Sequence, residues 1–344
     1  MKLASIERIN KIVPHPNADL LEIVCVLGYQ SIVKKNVYKT NELICFIQPD
    51  TVLPDTEWAK IYKAKSNRVK AIKLRKEWSF GIVESITLLP IGKSVAVDDG
   101  KGNPVETQFP WEEGDEVSQI LGITKYEPPA PQDLNAKGNL PFGLGKTDES
   151  RYQNIDDLPF GQIVDVTLKV DGSSLTVFCK KVDQVLDYVT GITSRSLELK
   201  PDCDNKYTQV VKKYNLIDKL KAYCNMNNVN LALRGEMYGN NIQGFASNPH
   251  ATRPLGFALF NVFNLDTLQY EGTDSPHYYE KVADALGIET VPMIEKGVVL
   301  TPELIKKYDE AIDTINGVPF EGVVIKMAGG KSFKVINKSY DSKK

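Results

Sequence analysis

The sequence predicts an α+β protein, a small N-terminal β-barrel followed by a domain of antiparallel sheets flanked by helices. Three observations predict it. Residues 1–120 hold many short apolar runs separated by turn signals. A stretch rich in Pro, Gly and Asn then interrupts the chain. Beyond it, strand-like and helical patterns mix, with no internal repeat. The expected division is a barrel domain over 1–120, a linker over 121–145 and a second domain over 146–344.

In the first domain the runs are "EIVCVL", "SIVK", "ELICFI", "VKAIKL" and "SFGIVESITLL". Gly28, Pro49-Asp50, Pro54 and Gly92 punctuate them, so they read as short strands. "VDDGKGNPVETQ" reads as a polar hairpin or loop. From Lys60 to Lys76 the chain carries eight Lys or Arg and no acid. The plain reading is a solvated basic face. The functional reading is a polyanion-binding face that includes Arg68, Lys70, Lys73 and Arg75, because clustered cations release counterions when they meet phosphates.

The linker contains "YEPPAPQDLNAKGNLPFGLG". Its end, "GLGKT", is superficially the tail of a phosphate-binding loop. Leu140 stands where the first glycine of that loop is required, and no strand leads into it, so the motif is rejected. In the second domain "YTQVVKKYNLIDKLKAY" has Tyr207, Val210, Val211, Tyr214 and Ile217 at helical spacing, a core-facing stripe. "LALRGEMYG", "GFALFNVF" and "EGVVIKM" read as strands. "SPHYYEKVADALG" and "TPELIKKYDEAIDTI" open on Ser-Pro and Thr-Pro and read as helices.

Composition excludes several classes. At 344 residues the chain is too long for one small core, and 42% apolar with 25% charged residues is typical of a globular protein. There is no run of about 18 apolar residues, so no membrane span is expected. The N-terminus lacks an apolar h-region, so no secretory signal is expected. Cys25, Cys45, Cys179, Cys203 and Cys224 are widely spaced and never form a CxxC pair. Zinc sites and a disulfide framework are therefore disfavoured, and a cytoplasmic or other reducing intracellular compartment is expected. His15, His250 and His277 are too scattered for a triad. The net charge of −2 decides nothing.

The informative stretch is Thr167 to Ser174, "TLKVDGSS". β-branched residues lead into it, so a lysine falls at the end of what reads as a buried strand. A period of two puts Lys169 and Asp171 on one face, with Leu168 and Val170 on the other. Gly172 then permits a turn or a close approach to a ligand. A solvated strand end is the plain reading of these residues alone. Other segments share the feature: Glu236 in "LRGEMYG", Glu321 in "FEGVVIK", Lys334 in "SFKVIN" and Arg195 in "TSRS". Three carboxylates and several cations from different segments suit a nucleotide with a divalent metal.

These segments, in this order, resemble the covalent nucleotidyltransferase superfamily of polynucleotide ligases and mRNA capping enzymes. "KVDG" is similar to its nucleophile motif, "LRGEMYG" and "EGVVIK" to its two glutamate motifs, "FALFNVF" to its base-stacking motif and "FKVIN" to its final lysine motif. "PHPNADLLEIVCVLGYQ", "QPDTVLP", "LGITKYEPPAP" and "TDESRYQN" extend the likeness to ATP-dependent RNA ligases with an OB barrel ahead of the transferase domain. DNA ligases and capping enzymes place their OB fold after the last lysine motif, whereas ten residues follow Lys334 here. The implied architecture is an OB-like RNA-binding barrel and an ATP-grasp-like ligase adenylation domain, the nucleotidyltransferase.

The resemblance implies that Lys169 attacks the α-phosphate of ATP and carries AMP as a lysyl adduct. Asp171, Glu236 and Glu321 are implied as the groups around Mg²⁺ or Mn²⁺. Gly172, Arg195, Phe257, Phe260, Lys326 and Lys334 are implied around the nucleotide, with either phenylalanine stacking on adenine; for both, a core role is the plain reading. Two positions depart from the family. Ser174 stands where many relatives carry Arg or Asn, and Ile336 where they carry a second lysine, for which Lys326 or Lys338 could substitute.

The expected protein is a monomeric ATP-dependent RNA ligase of RNA repair. It would join 5′-phosphate and 3′-hydroxyl ends, in a nicked duplex or a loop, away from membranes. The rivals are a non-catalytic RNA- or tRNA-binding OB protein, and a DNA ligase or GTP-dependent capping enzyme. The first leaves the ordered acids and lysines without a purpose.

Overall fold

A computed structural model describes residues 2–62, 67–98, 104–126, 135–182, 187–240, 242, 250–310, 320–337 and 340. The chain divides into two compact units, residues 1–129 and 130–344.

The first unit is built from short antiparallel strands. β1 (Ala4–Arg8), β2 (Lys11–Pro14), β3 (Leu21–Val26), β4 (Tyr29–Lys34), β5 (Leu43–Ile47) and β6 (Thr51–Val52) come first, then the four-residue α1 (Glu57–Lys60). β7 (Ile72–Leu74), β8 (Glu77–Ser79), β9 (Ile82–Ser85), β10 (Lys93–Asp98), β11 (Pro104–Phe109), α2 (Ser118–Leu121) and β12 (Thr124–Lys125) follow. The main sheets have the orders β1-β5-β9 and β2-β3-β4. Phe80 N–H donates to the Gln30 carbonyl at 2.8 Å, and Ile32 N–H to Ser79 Oγ at 2.9 Å, tying the β8 end to β4. The β3–β4 turn is Leu27-Gly28, both at positive φ, the primed hairpin geometry that Gly28 favours. "VKAIKL" contributes only its second half to a strand, and the polar segment around Gly100 is flanked by the paired β10 and β11.

The second unit holds two antiparallel sheets. β13 (Ala136–Asn139), β14 (Ile163–Leu168), β15 (Ser173–Lys181), β16 (Tyr188–Thr193), β17 (Leu197–Leu199), β18 (Leu231–Tyr238), β19 (Gly256–Asn264) and β20 (Gln269–Tyr270) precede β21 (Met293–Val299), β22 (Gly322–Lys326) and β23 (Ser332–Ile336). The seven-stranded sheet runs β13-β17-β16-β15-β18-β19-β20 and the four-stranded one β21-β14-β22-β23. One core joins them: Val164 and Val166 of β14 and Val323 and Ile325 of β22 cluster with Leu175, Val177, Leu231 and Leu233 of the larger sheet. Its helices are α3 (Lys206–Tyr214), α4 (Leu216–Asn227), α5 (Tyr279–Leu286) and α6 (Pro302–Asp309).

Three local readings change. The predicted helix over 207–223 is two helices, because Asn215 takes a left-handed φ of 50° and its N–H closes on the Lys212 and Val211 carbonyls. Asn tolerates that conformation as a helix cap. α5 begins after Tyr278, three residues beyond Ser275, whereas α6 has the expected Thr301 cap and Pro302. The stretch 121–145 carries structure: Thr124–Lys125 pairs with β6, and Ala136–Asn139 pairs with β17 as an edge of the larger sheet.

Candidate active site

Lys169 follows the last residue of β14, and its N–H bonds to the Gly322 carbonyl at the head of β22. Leu168 and Val170 are buried in the core, as alternation requires, which turns Lys169 the other way. Asp171 lies in the turn to β15. Gly172 completes that turn against β18: a Cβ there would meet the Met237 carbonyl at 2.0 Å. The close approach that glycine permits is therefore to a neighbouring strand.

Glu236 comes from the middle of β18 and Glu321 from the residue before β22. Lys169 Nζ donates to Glu321 Oε2 at 2.8 Å. Burial works against the ammonium, but Glu321 and Glu236 outweigh it and hold Lys169 above the ordinary lysine range. The Glu236 carboxyl is pushed up to about 8 by desolvation, partly opposed by Lys169, with Glu321, Asp171 and Glu149 adding to the rise. The Asp171 carboxylate accepts the Tyr340 hydroxyl at 2.7 Å.

A pocket open to solvent lies beside this group, and Thr147, Glu149, Lys169, Glu236, Phe260 and Lys326 line it. The two candidate phenylalanines separate here. Phe257 is fully buried beneath Gly235, where a Cβ would meet its ring at 2.2 Å. Phe260 reaches the pocket where the β18–β19 register slips: Arg234 faces Asn261 and Gly235 faces Leu259. Phe260 is left as the extra residue of a bulge, a device that re-aims a side chain.

Lys326 Nζ donates to the Phe260 carbonyl at 2.7 Å, and desolvation lowers its pKa to about 8. Lys334 stands opposite Val324, which also lines the pocket. Desolvation, together with the charge of Lys169, lowers Lys334 to about 8. Such lysines offer a proton-labile amine or a poorly hydrated cation eager for phosphate. Ile336, at the position of the missing second lysine, is buried, and Lys338 lies outside the described residues. Arg195 forms an ion pair with Asp148, whose charge also acts on Lys334. Sequence reasoning gave no role to Thr147 or Glu149; "TDESRYQN" was the signal that covered them. Thr147 Oγ1 lies 2.6 Å from Ser174 Oγ, the residue that departs from the family pattern.

The donors suit a hydrated cation. Among the described residues no group of three His, Cys, Asp or Glu is close enough to coordinate an ion directly. The Glu236 carboxyl is made reluctant to ionise first by burial and then by the neighbouring Glu321, Asp171 and Glu149, a gathering of acids that a cation would relieve. Mg²⁺ keeps several waters, which extend the reach of carboxylates that do not touch. Asp171, Glu236 and Glu321 could hold it in that way.

The basic run lies in the first unit. Arg68 is committed: its guanidinium pairs with Asp50 at 2.5 Å and stacks over Tyr126 at 4.0 Å. Lys70, Lys73 and Arg75 are exposed, with Lys73 Nζ 5.1 Å from the Trp78 ring centroid. Arg75 and Lys76 form the two-residue β7–β8 turn at φ 48° and 77°.

A family described as RNA ligase matches residues 162–336, and an OB-fold domain matches residues 3–86. No curated protein matches the sequence. Among solved structures, Naegleria gruberi RNA ligase with PPi is 28% identical, with TM-score 0.75, covering 99% of this chain and 98% of that one. A mutant of the same ligase with AMP and Mn is 26% identical, with TM-score 0.76 and the same coverage. Another, with ATP and Mn, is 27% identical with TM-score 0.74, again over 99% and 98% of the two chains. No helix among the described residues is long and apolar enough to cross a membrane.

Proposed function

This chain belongs to the RNA ligase family, and from that premise we propose that it seals RNA 3′-hydroxyl ends to 5′-phosphates, in RNA repair, through an AMP carried on Lys169. The observation that supports this most is Lys169 bonded to Glu321 at 2.8 Å on the wall of a pocket shared with Glu236, Phe260 and Lys326.

In the first step Lys169 Nζ attacks the α-phosphorus of ATP; a P–N bond forms, the bond to the β-phosphate oxygen breaks and pyrophosphate leaves. In the second, an oxygen of the RNA 5′-phosphate attacks the same phosphorus and frees the lysine. In the third, the 3′-oxygen attacks the RNA phosphate and AMP departs. A free lysine has a pKa of about 10.4 and must lose its proton to attack. Glu321 holds that ammonium at rest. Glu321 and Glu236 would hold the divalent cation through its waters, and their engagement with it would relieve Lys169 of the negative charge that stabilises its ammonium, which favours the amine. The divalent ion supplies charge neutralisation on the phosphates. Lys334 and Lys326 add amines beside the pocket that are mostly cationic at neutral pH, and Arg195 is held in its ion pair with Asp148.

Labelled ATP or GTP with Mg²⁺, followed by a denaturing gel, tests the reading; RNA and DNA nicks with 5′-phosphates then test the substrate. A covalent adduct from ATP and sealing of RNA ends are expected. An adduct from GTP alone, or none, would overturn it.

Phe260 is assigned to the adenine face and Phe257 to the core. Phe260→Ala is expected to raise KM for ATP on the order of tenfold, the worth of one base-aromatic stack. Phe257→Ala is expected to cost about 3–5 kcal/mol of stability instead. ATP-dependence of adduct yield and melting curves read the two effects. The reverse pattern would exchange the assignments.

For RNA, Lys70, Lys73 and Arg75 serve as the phosphate-contacting cations, and Arg68 as their internal support. The Arg75-Lys76 turn favours this: Asn-Gly is the favoured pair for such geometry, so two cations occupy it at a conformational cost. Changing Lys70, Lys73 and Arg75 together to Glu is expected to spare adduct formation from ATP while weakening RNA binding, with a shallower salt dependence. RNA titrations across a salt series check it. Unchanged binding would leave the run a solvated face.

A further inference from the structure

Two residues beyond β23, Asn337 and Tyr340, bond to the acids of the site or to the backbone beside them. Asn337 N–H donates to the Glu321 carbonyl at 3.0 Å, and its side-chain amide to the Phe320 carbonyl at 3.3 Å. Tyr340 N–H then donates to the Asn337 carbonyl at 3.0 Å. Tyr340 is fully buried, and its hydroxyl donates to Asp171 Oδ2 at 2.7 Å. One short segment thus fastens the backbone at one acid and the carboxylate of another.

Asp171 is held at its backbone and at its side chain. Its backbone is fixed by Gly172 packed against Met237, which leaves the side-chain torsions to settle where the carboxylate points. A phenol donor on one carboxylate oxygen restricts those torsions and so sets the direction of the group. The donor is neutral. Unlike the Lys169 ammonium on Glu321, it orients the acid without itself bringing a positive charge.

We propose that Tyr340 is a positioning residue for adenylylation: its hydroxyl aims the Asp171 carboxylate at the water shell of the divalent cation that accompanies ATP. The inference rests on the nucleotidyl-transfer reading above. Groups that orient the partners of a metal are commonly worth tenfold or more in metal affinity.

The test compares wild type with Tyr340→Phe, which keeps the ring and removes the donor, and Tyr340→Ala, which removes both. Adduct formation is titrated with Mg²⁺ at saturating ATP. Binding of Mn²⁺ in the presence of AMP is followed separately by the EPR signal of the free ion, below the melting temperature of each protein. Tyr340→Phe is expected to raise the Mg²⁺ concentration for half-maximal adduct on the order of tenfold and to weaken Mn²⁺ binding in parallel. Its rate at saturating Mg²⁺ should recover most of the wild-type value. The inference is overturned if Tyr340→Phe matches wild type in both titrations, or if only Tyr340→Ala is impaired, since packing alone then explains the residue. It is also overturned if Tyr340→Phe loses rate with no change in metal dependence. Failure of wild type to form an adduct would instead refute the underlying reading of the site.

Discussion

Lys169→Met is expected to abolish transfer of label from ATP to the protein, a loss on the order of 10⁴-fold or more, as befits removal of a nucleophile. Methionine roughly conserves the volume and adds no charge, so the fold should persist. It also frees Glu321 from its 2.8 Å partner, and that acid can relax by taking up a proton or turning to water. The informative control is RNA that already carries a 5′-adenylate. Joining it makes no bond to Lys169, so the variant should lose far less of this activity than of adduct formation. Tryptic mapping of the adduct in wild type should place AMP on the peptide containing Lys169. A Met variant that still acquires label, or an adduct on another peptide, would remove the residue from its role. In the wild type, adduct formation should also accelerate with rising pH, because Glu321 above all holds the resting ammonium protonated and only the amine attacks.

The carboxylates give the second large effect. Glu236→Gln, Glu321→Gln and Asp171→Asn are each expected to reduce adduct formation on the order of 10²-fold or more, with a raised Mg²⁺ or Mn²⁺ requirement in what remains. Glu236 adds a distinguishing feature. Its carboxyl is pushed up to about 8, so at neutral pH the metal-free protein holds a proton that the unfolded chain has released. The sign follows from linkage: this group's contribution to stability is full below the ordinary glutamate pKa and is lost as pH rises towards about 8. Glutamine imitates the protonated acid. The Glu236→Gln protein should therefore melt no lower than wild type at pH 7 without metal and resist alkaline loss better, while remaining crippled in catalysis. Melting curves from pH 5 to 9 and Mg²⁺ titrations of adduct yield decide it. If all three variants form adduct normally at low metal, these acids do not serve the cation.

What the sequence determined by itself was the chemistry and its order along the chain. A lysine at the end of a β-branched run, an aspartate two residues on, and glutamates at the strands "LRGEMYG" and "FEGVVIK" are local facts: strand periodicity places each residue on a face. The domain of antiparallel sheets was legible for the same reason, as were the Thr301 cap and the strand that leads into Lys169. Tertiary structure decided what depends on register, on partners distant in sequence, or on backbone sign. Phe257 and Phe260 fall on opposite faces of "FALFNVF" by alternation, but only the assembled sheets show which face is the pocket, where Phe260 sits at a slipped pairing, and which lies under Gly235, where Phe257 packs. Arg68 looked like its basic neighbours until Asp50 and Tyr126 claimed it. Asn215 broke a continuous helical stripe because periodicity describes side chains and is blind to one left-handed residue. Tyr340, 169 residues from Asp171 in sequence, carries no pattern at all. A hydrogen bond across that separation exists only once both sheets have assembled, because the chain between them supplies the strands that bring its two ends together.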